Sequence, residues 1–192
     1  TPYTFDSWMR ILKKVDGSVL YLYAENPWVE GNLKKEAAAR DINPGRLVFG
    51  KGLPRPEHLA RISVTDLFLD TLPCNAGATA SDALWAGVPV LTQLGSVFPG
   101  RIGASILRAI ELPELITLSQ SEYEAMAIEL ATNNSKFAAL KRKLSNNRLT
   151  TSLFDTPRFT ANLEDAFERA LERYNAGLPP EHIHIEPRAN AA

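Results

Sequence analysis

Short apolar runs alternate with stretches of helical spacing through the first hundred residues. Thr4 is the expected N-cap of an opening helix in which Trp8, Ile11, Leu12 and Val15 recur on one face, and Asp16 and Gly17 stop it. SVLYLY, residues 18–23, follows as a β-rich run of the kind buried on both faces of a parallel sheet. The polar stretch 32–40 predicts a helix with Leu33, Ala37 and Ala38 inward. RLVFG (46–50), DLFLD (66–70) and VPVLT (88–92) repeat the short-strand signal, with helical material between them. This alternation predicts an α/β domain with a parallel sheet, right-handed crossovers and flanking helices. Beyond Gly100 the pattern predicts helices alone. Tyr123, Met126, Ala127, Leu130 and Ala131 form one stripe, and Phe159, Leu163, Ala166, Phe167, Ala170, Leu171 and Tyr174 form another, both expected to face a core. Gly177, Pro179 and Pro180 end the last helix. Residues 1–185 read as one domain, with C-terminal helices from about 119 and a loose tail at 186–192.

Within this frame LDTLPCNAGATASDALWAGVPVLT (69–92) places a buried strand, a small-residue turn, a helix start near Ser81 and a second buried strand in succession. Small side chains let a ligand approach the backbone, and the first N–H groups of a helix attract an anion. Neither GxxxxGK nor GxGxxG is present, which argues against a P-loop ATPase and a dinucleotide turn. What remains is a diphosphate site of another kind, with Asp82 one turn into the helix and able to reach a ribose hydroxyl. A tight turn with no ligand accounts for the segment equally well.

Ligands of open parallel sheets bind outside the carboxyl ends of the strands. Three loops leave those ends here: GKGLPRPEH (50–58), residues 71–82, and QLGSVFPGR (93–101). Lys51, Arg55, Arg61 and Arg101 lie in or just beyond them and are the donors a diphosphate requires. On spacing alone His58 reads as an exposed residue in the first turn of a helix after Pro56, and Lys51 as a solvated charge.

Composition narrows the classes. The 192 residues carry 21 basic and 22 acidic side chains, so the overall charge suggests neither a nucleic-acid nor a membrane surface. A single cysteine, Cys74, forms no internal disulfide, which fits a reducing, cytoplasmic setting. No CxxC or HExxH spacing suggests zinc, and the His182–His184 pair has no identifiable third ligand. No apolar run approaches the ~20 residues needed to cross a bilayer. The chain opens TPYTF without Met and is expected to be part of a longer protein.

The segment CNAGATASDALWAGVPVLT, followed by GR, EYEAMAIELA and NRLTTSLFDTPRFTANLEDAFERALERY, resembles the C-terminal catalytic half of the O-linked N-acetylglucosamine transferases of glycosyltransferase family 41. The resemblance runs from about residue 1 to 185. It implies a Rossmann-like parallel sheet with flanking helices, the C-terminal, donor-binding half of a GT-B fold, usually preceded by tetratricopeptide repeats. It also implies donor contacts: Arg55 near the uridine, His58 at the base, Arg61 following it, Gly77, Ala78 and Thr79 at the diphosphate, and Asp82 at the ribose. The family's turn commonly reads histidine and threonine where this chain has Gly77 and Ala78. A phosphate-contacting lysine just before the opening TP, and the proposed catalytic histidine of the other half, are likewise absent from this sequence.

The function so implied is inverting, metal-independent transfer of GlcNAc from UDP-GlcNAc to Ser or Thr of proteins. The partners are a UDP-sugar and a protein acceptor held by the other half and the repeats, and the chain alone is expected to be inactive. Two alternatives stay open: a non-catalytic nucleotide-sugar-sensing or protein-interaction module, and the same chemistry with another donor such as GDP-fucose.

Overall fold

The computed structural model describes residues 1–186. Helix α1 (Pro2–Lys14) leads to strand β1 (Leu20–Tyr23), helix α2 (Pro27–Ala38) and strand β2 (Leu47–Gly50). β1 and β2 pair in parallel, Leu20 opposite Leu47 and Tyr23 opposite Gly50. Helix α3 (Arg55–Ser63), strand β3 (Phe68–Leu69), helix α4 (Ala78–Trp85), strand β4 (Val90–Gln93), helix α5 (Ile102–Ala109) and strand β5 (Ile116–Thr117) complete a second parallel sheet in the order β3, β4, β5. Helices α6 (Gln120–Thr132), α7 (Asn134–Thr150) and α8 (Thr156–Asn175) follow.

The α/β architecture and parallel pairing agree with the sequence pattern, and five local expectations are corrected. First, α1 is capped by Thr1 rather than Thr4: Pro2 takes the first helical turn, and the Thr1 side chain accepts the Thr4 N–H at 3.2 Å. Second, α2 begins at Pro27, with Asn26 accepting the Trp28 N–H at 2.9 Å, so the helix starts five residues before Asn32. Third, α4 begins at Ala78 and not near Ser81, because Ala78, Thr79 and Ala80 already follow the helical path. Fourth, the region after Gly100 is not helix alone, since β5 joins β4 with Thr92 opposite Ile116. Fifth, the α8 stripe does not face a core: Phe159, Leu163, Phe167, Leu171 and Tyr174 are all exposed. The tail beyond Glu186 lies outside the described residues.

Two apolar clusters lie under the sheets. The larger gathers Leu84, Val90, Leu91, Leu107, Leu115, Leu130 and Leu144 from α4 to α7 and the strands among them. The smaller gathers Phe5, Met9, Leu12, Ala37, Ile42 and Leu47 beneath β1 and β2. α1 serves both, because its Ile11 belongs to the larger cluster and its Phe5, Met9 and Leu12 to the smaller. Its outer edge is pinned to α6: the Arg10 guanidinium holds both oxygens of Glu124, at 2.6 and 2.9 Å, and Ser7 Oγ donates to Glu124 at 2.5 Å. No helix among the described residues is long and apolar enough to cross a membrane.

Candidate functional site

Helices α3 and α4 touch, and both begin just beyond the carboxyl end of a strand. α3 starts behind Pro54 and α4 behind Gly77, and neither start has a side-chain cap. In α4 the Ser81 N–H is bonded to the Gly77 carbonyl at 3.1 Å. Ala78, Thr79 and Ala80 therefore supply the amides at the positive end of the helix dipole. Ala78 and Thr79 are exposed and Ala80 is buried, so the opening of the helix lies at the surface while its floor is sealed.

The two helices are tied by Arg55, the first residue of α3, whose Nη2 lies 2.9 Å from Asp82 Oδ1. Asp82 is largely enclosed, with its side chain 17% exposed, whereas the Arg55 side chain is 77% exposed. The acid is the fixed member of this pair and the arginine the movable one. An ion pair with so exposed a partner is worth no more than about 1 kcal/mol, so an incoming hydroxyl or anion can compete for either group.

His58 and Arg61 form a second pair one turn along α3, with Arg61 Nη2 at 3.4 Å from His58 Nδ1. Arg61 Nη1 also donates to the Lys51 carbonyl at 2.6 Å, and its guanidinium lies 5.4 Å from the Tyr21 ring centre. A guanidinium only donates, so His58 Nδ1 accepts and the ring proton sits on Nε2. The imidazole thus offers an N–H on the edge away from Arg61. Gly50 makes room for this assembly, because a Cβ there would lie 1.6 Å from the Tyr21 hydroxyl oxygen. Lys51 lends its carbonyl while the residue itself is exposed.

The turn between β3 and α4 is braced from below and from the side. Asp70 Oδ1 accepts the N–H groups of Thr71 (2.8 Å) and Ala76 (2.7 Å), while Oδ2 accepts the Thr92 hydroxyl (2.7 Å). Burial pushes the Asp70 carboxyl above its ordinary value of 3.8, opposed by those three hydrogen bonds. Asn75 is buried as well: its N–H donates to the Pro99 carbonyl at 2.8 Å, and its amide bridges the Thr71 carbonyl and the Gly103 N–H. The third loop is drawn tight for this contact, with Gly95 N–H on the Gly100 carbonyl at 2.7 Å. Arg101 stands exposed at its end.

Residues 1–163 match the family described as Glycosyl transferase family 41. The chain belongs to that family. It is 32% identical over 182 residues to the UDP-N-acetylglucosamine--peptide N-acetylglucosaminyltransferase of Caenorhabditis elegans, covering 95% of this chain and 16% of that protein. It is 35% identical over 185 residues to the probable UDP-N-acetylglucosamine--peptide N-acetylglucosaminyltransferase SEC of Arabidopsis thaliana, covering 96% and 19%. A mutant O-GlcNAc transferase of Thermobaculum terrenum superposes with a TM-score of 0.83 at 34% identity, covering 88% of this chain and 33% of that one. The chain thus spans a fifth or less of these curated relatives and a third of the solved structure.

Of the residues singled out as expected donor contacts, the fold brings Arg55 to Asp82 and His58 to Arg61, and sets Gly77, Ala78 and Thr79 at the head of α4. At Gly77 an added Cβ would meet only Ile102 Cγ2, at 3.8 Å, so the space beyond it is open. The residues the sequence left unmarked are the braces Asp70, Asn75, Thr92 and Gly103. Their one signal was an acid placed directly after an apolar strand and before a turn of small residues.

Proposed function

We propose that this chain is the sugar-nucleotide half of an inverting, metal-independent glycosyltransferase that moves GlcNAc from UDP-GlcNAc to a Ser or Thr hydroxyl of a protein. The observation that carries this reading is the uncapped start of α4, set beside an enclosed carboxylate at Asp82 in a chain of family 41. The hard step is departure of UDP, when negative charge gathers on the β-phosphate as the anomeric carbon becomes cationic. The amides of Ala78, Thr79 and Ala80 meet that charge already oriented, and each such donor typically lowers a barrier by about 3 kcal/mol. The Thr79 hydroxyl adds a further donor, and Gly77 lets the phosphate approach the backbone. Asp82 accepts the ribose hydroxyls, which holds the anomeric carbon in line for attack.

In the same reading Arg55 leaves Asp82 for the nucleotide as the ribose arrives, His58 presents Nε2–H to a carbonyl of the base, and Arg61 keeps that ring in place. The general base and the protein acceptor are supplied outside this chain, by the rest of a longer, cytoplasmic protein. Calorimetric titration with UDP, GDP and UDP-GlcNAc tests the donor site. UDP-selective binding that is lost in Asp82→Ala supports it, and preference for GDP replaces the donor with a GDP-sugar. A second reading, a sensor that binds donor without turnover, draws on the bare Gly77 and Ala78 positions. Tight UDP binding with neither transfer nor hydrolysis by the full-length protein would select it.

A further inference from the structure

Asp70 is an expensive residue to place where it is. Its side chain is buried and its partners are two backbone N–H groups and one hydroxyl rather than a cation. Taking a carboxylate out of water costs several kcal/mol unless strong hydrogen bonds replace the lost hydration. An apolar residue would close β3 at no such cost. What the polar side chain supplies, and an apolar one cannot, is one oxygen that accepts two converging N–H groups, from the first and the sixth residue after Asp70.

That convergence fixes the path of the turn. Thr71 and Ala76 are drawn to the same atom, so the chain from Thr71 to Ala76 closes into a ring, and Ala76 stands directly before Gly77, the cap of α4. Asn75 closes the ring from the other side by bridging the Thr71 carbonyl and the Gly103 N–H. The Thr92 hydroxyl orients the second carboxylate oxygen from β4, and the Thr92 carbonyl is held in turn by the Thr117 hydroxyl of β5 at 3.0 Å. Tyr123 of α6 donates to the Asp70 carbonyl at 2.9 Å. Gly103 reserves the remaining space: a Cβ there would lie 2.5 Å from Asp70 Oδ2 and 2.6 Å from Thr92 Oγ1.

We propose that Asp70 is a positioning residue of the donor site. By gathering the Thr71 and Ala76 amides onto one oxygen it sets the direction in which the chain enters α4, and so the aim of the Ala78, Thr79 and Ala80 amides at the diphosphate; Gly103 keeps the room the carboxylate needs. This role rests on the reading of α4's start as the diphosphate site. It requires acceptor geometry and not charge. An asparagine can keep its Oδ1 on both amides and turn its Nδ2 toward the Thr92 oxygen, whereas alanine abandons both amides and Gly103→Ala drives a methyl group into the carboxylate.

The test uses the full-length protein that carries this chain, with two readouts: hydrogen exchange of the amides from Thr71 to Ala80 without ligand, and the affinity for UDP. Asp70→Ala and Gly103→Ala are expected to speed exchange at Ala76 and through the head of α4 and to weaken UDP by about tenfold or more, the loss of one well-placed donor set. Asp70→Asn should hold both readouts within about threefold of the parent, a rescue that removal of a structural charge would not give. UDP affinity unchanged in Asp70→Ala, or Asp70→Asn falling as far as Asp70→Ala, overturns the role. If Asp70→Ala does not fold, the contrast between Asp70→Asn and Gly103→Ala decides. Parent protein that fails to bind UDP while exchange follows the expected order refutes the donor site and leaves Asp70 as the residue that shapes the turn; exchange that ignores Asp70→Ala refutes the latter.

Discussion

Asp82 and Gly77 mark the two ways in which single residues would set the proposed donor site. Asp82 is enclosed and paired with an exposed arginine, so Asp82→Ala should weaken UDP by about 10- to 100-fold, the value of one or two charge-assisted hydrogen bonds, in a calorimetric titration. Arg55→Ala frees the acid and should cost less. Gly77 has open space beyond it, so Gly77→His with Ala78→Thr should fold, with a loss of melting temperature of no more than a few degrees. The pair should also raise UDP affinity by roughly tenfold if added side-chain donors reach the phosphates. Two carboxylates set opposite pH dependences. Glu124 is held below its ordinary value of 4.5 chiefly by its hydrogen bonds from Arg10, with Ser7 helping. It therefore adds stability above that value which is lost as pH falls through the lowered one, and Glu124→Gln should flatten the acid limb of the denaturation profile. Asp70 is raised by burial, so the native state keeps its proton longer and stability falls as pH rises from 3.8 through the raised value; Asp70→Asn should remove that fall.

Elements were legible where their side chains report burial and illegible where backbone alone makes them. Strands β1, β2 and β4 stood out as apolar runs. β5 did not, because Ile116 and Thr117 are only two residues between a turn and the cap of α6. The start of α4 was displaced because Ala78, Thr79 and Ala80 are as much at home in a turn as in a helix. Arg55, Arg61 and Asp82 were readable as charged groups in or beside the loops, whereas His58 read from spacing as an exposed helix residue and entered only through the resemblance. Asp70 was not readable as a brace, since nothing in its neighbours in sequence announces that Thr92 and Gly103 close over it. Helix α8 teaches a different lesson: periodicity reveals an apolar face but not what covers it. Phe159, Phe167 and Tyr174 are 64, 65 and 80% exposed, and large apolar side chains exposed along one helix favour association. The isolated chain should self-associate in light scattering at high concentration, and Phe167→Glu with Leu171→Glu should return it to monomer. A monodisperse unsubstituted chain would show that the patch is tolerated in water.

At the scale of the whole molecule the strands form two sheets, β1 and β2 in one and β3, β4 and β5 in the other, and the proposed donor site draws on both. Arg55, His58 and Arg61 follow β2, and the amides of α4 follow β3, so a site of fixed geometry requires the two parts to move as one. The connection is α1, which buries Phe5, Met9 and Leu12 in the smaller cluster and Ile11 in the larger, where Val15 just beyond its end joins it, and which Arg10 and Ser7 clamp to α6. If α1 couples the clusters, damage to either is felt by both. Ile42→Ala in the smaller cluster and Leu107→Ala in the larger should each cost about 2–5 kcal/mol, as large-to-small changes at buried positions do. Each variant should still unfold in a single transition, with amide exchange accelerating in β1 and β4 together. Were Ile42→Ala to loosen only the β1–β2 part while β4 kept its protection, the parts would be independent. The two pairs that make up the candidate site would then be brought together by the ligand instead of being presented to it, and the cost of assembling them would appear as weaker binding.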